Sequence, residues 1–85
     1  PPIESAQGGM HIYPNPSSGI VTIQLNDTIS FGAFLEIYNL VGQRVVTTVV
    51  NQVQFQLNIS SLSKGVYYIR VNNGNSKLMN KFLKL

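Results

Sequence analysis

"VQFQLNI", Val53–Ile59, is the stretch that decides the fold. Val53, Phe55, Leu57 and Ile59 alternate with Gln54, Gln56 and Asn58. Strict period two, with one apolar and one amide-bearing face, describes a strand wetted on one side. No helical register collects these apolar residues.

Outward from this stretch the pattern repeats. On the C-terminal side "SSLSKG" makes a turn, and Val66–Asn72 sets Tyr67, Ile69 and Val71 against Tyr68 and Arg70. "NNGN" follows, a hairpin signal because Asn-Gly tolerates the positive φ of tight turns, and a last strand runs from Ser76 to the end. On the N-terminal side Asn51-Gln52 is a tight connection to Arg44–Val50, whose "VVTTVV" is β-branched throughout and favours a strand. "NLVGQ" pivots near Gly42 into Phe34–Asn39, where Leu35 and Ile37 oppose Glu36. A loop from Asn26 to about Gly32 leads back to Gly19–Leu25, with Val21, Ile23 and Leu25 on one face. In "YPNPSSG" Pro14 and Pro16 cannot donate to a ladder and push Tyr13 and Asn15 towards extended backbone. Tyr13, Pro14, Asn15, Pro16 and Gly19 are therefore read as a stiff turn between a first strand, Met10–Tyr13, and the second. Residues 1–9, "PPIESAQGG", have no periodicity and are read as a linker, with the domain proper at 10–85. Seven short strands, turn signals between them and no sustained 3.6 period predict an all-β, antiparallel β-sandwich.

The last strand does not choose a face. Leu78 and Phe82 alternate with Met79, Leu83 and Leu85, and both sides also carry polar residues, among them Lys77, Asn80, Lys81 and Lys84.

Composition limits the chemistry. The chain has 85 residues, 44% hydrophobic and 11% charged, without cysteine. A chain this short buries roughly 60–65% of its unfolded surface, which leaves a thin core and little room for an enclosed active site. There is no thiolate metal site or disulfide framework. No apolar run approaches the ~18 residues of a spanning helix, so no transmembrane segment is expected. His11 is the single histidine, and the acids Glu4, Asp27 and Glu36 lie far apart. No triad, paired-carboxylate or metal-ligand spacing is present, so no catalytic, cofactor or metal residue is expected and the chain is read as a non-enzyme. The net charge is +3, but Arg44, Lys64 and Arg70 are scattered and only Lys77, Lys81 and Lys84 cluster. That is read as guarding of a sheet edge, not as a nucleic-acid face. Tyr13, Tyr38, Tyr67 and Tyr68 could form a sugar-stacking platform only if several met on one exposed face.

"YPNP" before a strand, then "LEIYNLVGQRV", "LSKGVYYIRV" and a terminal "KFLKL" resemble the type A C-terminal sorting domain of the type IX (Por) secretion system, found at the ends of proteins secreted by Bacteroidetes. The resemblance runs from about Met10 to Leu85. It implies an immunoglobulin-like sandwich and an export signal: a fused N-terminal cargo crosses the outer membrane, passing through the periplasm to the cell surface or beyond. The implied partners are the outer-membrane translocon, its shuttle and a sortase-like peptidase that removes the domain. The family's glycine-aromatic block corresponds to Gly65, Val66 and Tyr67, and its terminal block to Lys81, Phe82, Leu83 and Lys84. Gly65, Tyr67, Lys81, Phe82, Leu83, Lys84 and Leu85 are thus the expected recognition residues, with strand addition to a receptor edge as one physical route. Cleavage is expected in the unpaired segment Glu4, Ser5, Ala6, Gln7, Gly8 and Gly9. The alternative is a β-sandwich accessory module, adhesive or glycan-binding, carried by a secreted enzyme.

Overall fold

In a computed structural model, residues 5–7, 9–25, 33–73 and 76–85 are described. They form eight strands: β1 (Ser5–Gln7), β2 (Met10–Tyr13), β3 (Ile20–Leu25), β4 (Phe34–Tyr38), β5 (Arg44–Val49), β6 (Gln54–Asn58), β7 (Gly65–Asn73) and β8 (Ser76–Lys84). Two four-stranded antiparallel sheets, ordered β1-β2-β3-β6 and β5-β4-β7-β8, close into a sandwich. The seven predicted strands are β2 to β8, with ends moved by a residue or two.

β1 is the addition. Ser5–Gln7, read as linker, pairs antiparallel with Ile12, His11 and Met10. A three-residue strand of small and polar residues, joined through main-chain bonds, has no side-chain period to reveal it. The predicted 26–32 loop and residues 1–4, 8, 74 and 75 lie outside the described residues, although β7 and β8 pair as far as Asn73↔Ser76.

The core follows the alternation. Met10, Ile12, Val21, Ile23, Leu35, Ile37, Ile69 and Val71 are fully buried between the sheets. β6, the clearest alternation in the sequence, is an edge strand: Gln54, Gln56 and Asn58 are exposed while Phe55 and Leu57 are half-buried. Period two reports which face points inward, not how deeply the strand sits.

β8 resolves its own ambiguity. Leu78, Asn80, Phe82 and Lys84 turn inward and are buried; Lys77, Met79, Lys81 and Leu83 turn outward. Phe82 stacks on Tyr67, ring centroids 5.5 Å apart, and the Tyr67 hydroxyl donates to the Ser63 carbonyl at 2.6 Å. Contacts of β1 and β2 with β8 bring the two ends of the domain together.

Candidate functional site

The two ends of the sequence meet along the outer edge of β8. The Tyr13–Pro14 and Asn15–Pro16 peptide bonds are cis, and the loop they belong to lies against residues 81–85. Asn15 Oδ1 accepts from Leu83 N at 2.9 Å, and its Nδ2 donates to the Lys81 carbonyl at 3.4 Å. Asparagine carries both an acceptor and a donor on a short side chain, so one residue serves two main-chain groups of a strand. Ser17 N donates to Leu83 O at 3.0 Å, and Leu85 N donates to Ser17 O at 2.9 Å. That makes a parallel bridge between Ser17 and Lys84. Ser17 Oγ folds back locally, donating to Ile20 O and accepting from Gly19 N.

Asn80 completes this edge from inside. Its Oδ1 accepts from Lys81 N at 2.7 Å and its Nδ2 donates to Met10 O at 2.8 Å. The side chain is 3% exposed, so it replaces water for two main-chain groups that would otherwise be buried without partners. Each outward main-chain group from Lys81 N to Leu85 N therefore has a partner. The open edge that strand addition by a receptor requires is already filled there by Asn15 and Ser17.

The expected recognition residues divide into two sets. Tyr67, Phe82 and Lys84 are buried, with Lys84 Nζ donating to Leu85 O at 2.9 Å. Lys81, Leu83 and Leu85 are exposed. Gly65 has φ +144°, a conformation that side-chain-bearing residues rarely adopt, so its role is to let the chain enter β7.

The turn expected near Gly42, between β4 and β5, is also held by a side chain. Asn39 Oδ1 accepts from Val41 N and Gln43 N at 3.1 and 2.9 Å, and Gly42 supplies φ +86° in the β4–β5 hairpin.

Glu36 is a site that strand alternation hid. It stands on the outer face of β4, yet is only 5% exposed. Arg70 bonds its Oε1 at 2.8 Å and Arg44 its Oε2 at 3.0 Å, while Arg70 also reaches the Tyr38 hydroxyl at 2.8 Å. The hydrogen bonds from Arg70, then those from Arg44, hold the Glu36 carboxyl below its ordinary range, and Glu36 in turn raises Arg70. Its signal in the sequence was the Tyr38, Arg44 and Arg70 spacing, interpretable only once the register is known.

Among the described residues no group of three or more His, Cys, Asp or Glu could hold a metal. His11 and Glu36 sit on different sheets. The tyrosines do not assemble a platform: Tyr67 is buried, Tyr13 is on the other sheet, and Arg70 lies 5.3 Å over the Tyr38 ring. No helix of the described residues is long and apolar enough to cross a membrane.

A family model described as a secretion system C-terminal sorting domain matches residues 11–84. No curated protein matches the chain. Among solved structures, a DUF3244 family protein with an immunoglobulin-like β-sandwich fold from Bacteroides vulgatus superposes with a TM-score of 0.72. It is 11% identical, with 91% of this chain and 85% of that one covered. At that identity the likeness shows the fold: this chain is an immunoglobulin-like sandwich.

Proposed function

The chain belongs to the secretion system C-terminal sorting domain family, and from that premise we propose that it directs a fused N-terminal cargo through the type IX outer-membrane machinery to the cell surface or the medium, without catalysis of its own. The observation that supports a folded signal, not a linear one, is the clamp. Asn15 and Ser17, from the beginning of the domain, hold the main chain of Lys81–Leu85 at its end.

In this reading Tyr67, Phe82 and Lys84 set the position of β8, and Lys81, Leu83 and Leu85 are the side chains a receptor touches. Recognition proceeds through side chains, since the main-chain edge is taken. Release of the cargo by a peptidase acting within Glu4–Gly9 requires β1 to leave β2 first, a small step for a three-residue edge strand.

The test is export of a reporter fused ahead of residues 1–85 in a type IX-competent bacterium. Leu83→Ser/Leu85→Ser should leave the domain folded and keep the reporter inside the cell. Normal export of that variant overturns the role given to these side chains. Mass spectrometry of the released cargo locates the cut, and a cut upstream of Pro1 removes Glu4–Gly9 from the account.

A further inference from the structure

The two outer faces of the sandwich differ in charge. Opposed residues in a sheet share a face, and the registers place Glu36 opposite Arg70, Tyr38 opposite Arg44, Tyr68 opposite Lys81, Arg70 opposite Met79 and Asn72 opposite Lys77. Arg44, Arg70, Lys77 and Lys81 therefore project from the β5-β4-β7-β8 sheet, four of the six Lys and Arg in the chain. Among the described residues the acid sharing this face is Glu36, and both of its oxygens are engaged by Arg44 and Arg70. On the other sheet His11, Tyr13, Ile20, Thr22, Gln24, Gln54, Gln56 and Asn58 make an outer face without Lys, Arg, Asp or Glu among the described residues. Cations that are scattered in the sequence are gathered by the fold.

The charged face is also apolar and contoured. Along β8, Lys77, Met79, Lys81 and Leu83 alternate charge with hydrocarbon, and Met79 and Leu83 are 51% and 40% exposed. Two open depressions of about 300 Å³ each adjoin Tyr68 and Met79, one reaching Lys81 and the other Arg70.

We propose that this face docks an extended acidic protein segment, with apolar side chains seated beside Tyr68 and Met79 and carboxylates paired with Lys77 and Lys81. Charge of one sign on a face with apolar depressions sets both orientation and approach of such a partner. A single-stranded nucleic acid fits less well, because Arg70 covers Tyr38 and the exposed rings of this face, Tyr68 and Phe34, lie four register positions apart and form no continuous stacking platform. Separate depressions also suit discrete side chains better than a plane of lipid headgroups. The surface adjoins the receptor contact proposed above and shares Lys81 and Leu83 with it, but the peptide titration reads binding without export, so the failure of either reading is seen separately.

The experiment titrates the full chain with the acetylated, amidated octapeptide Glu-Gly-Leu-Glu-Gly-Leu-Glu-Gly and follows amide shifts by NMR. Shifts are expected at Tyr68, Arg70, Met79 and Lys81, with none on the β2-β3-β6 face. The Gln-for-Glu peptide should bind about tenfold more weakly or worse, and so should K77E/K81E, whose substitutions are on exposed side chains and leave the melting temperature near that of the parent. Absence of binding, shifts spread over both faces, or equal binding of the Gln peptide overturns the proposal. Tighter binding to oligo-dT or to phosphatidylglycerol vesicles than to the acidic peptide overturns it as well and assigns the face to that ligand.

Discussion

β8 and β5 are the two edges of one sheet, and they are finished differently. On β8, from Lys81 to Leu85, side chains of Asn15 and Asn80 and the backbone of Ser17 take up the outward main-chain groups. On β5, no such partner is present among the described residues, and Val45 and Val49 are 38% and 71% exposed. What holds β5 from outside the ladder is an ion pair, Arg44 to Glu36. An unprotected β-branched edge is open to pairing with another chain. The filled edge can be approached only through its side chains. The difference separates a strand whose position is fixed from one whose position rests on its ladder to β4.

The comparison breaks most severely at Phe82. F82A removes a ring that is 2% exposed and stacked on Tyr67, and the expected cost is about 3–5 kcal/mol in urea unfolding. For the same reason, deleting Lys81–Leu85 would not leave a folded remainder, and an export defect of that truncation would not distinguish recognition from unfolding. N80A strips partners from Met10 O and Lys81 N inside the sandwich and should cost about 1–3 kcal/mol. N15A acts at an exposed site where water can replace the lost bonds, so about 0.5–1.5 kcal/mol is expected, with faster amide exchange at Leu83. The smallest change is expected for E36Q, because Arg44 is 57% exposed and solvent screens the pair. It has a distinct pH signature. A carboxyl whose folded pKa is lowered stabilises fully above its unfolded pKa and loses that contribution as pH falls through the folded value. The melting temperature of E36Q should therefore lie below the parent's at pH 7 and converge with it in acid, whereas that of N15A should differ from the parent's equally at both.

The strands were legible because one face of each is buried, and burial writes period two into the sequence; β3, with Val21, Ile23 and Leu25 all buried, is the clearest match. β1 was not, because its bonds are between main chains. The face chosen by β8 was not legible either, because its buried side includes Asn80 and Lys84, polar residues whose partners come from elsewhere in the chain or from its last residue. The sequence places "YPNP" and "KFLKL" at opposite ends, and the two stiff prolines suggest a turn. Nothing local says that Asn15, between them, bonds residues 66 and 68 positions away. Glu36 reads as the wet residue of a strand until the register puts two arginines over it.

Hydrogen exchange resolved residue by residue tests the clamp most directly. Leu83 and Leu85 amides, donating to Asn15 Oδ1 and Ser17 O, should be protected well beyond the outward amides of Thr47 and Val49, and N15A should lower protection at Leu83 with little effect on β5. Exchange at Leu83 and Leu85 as fast as at Thr47 and Val49 in the unaltered chain would contradict the account.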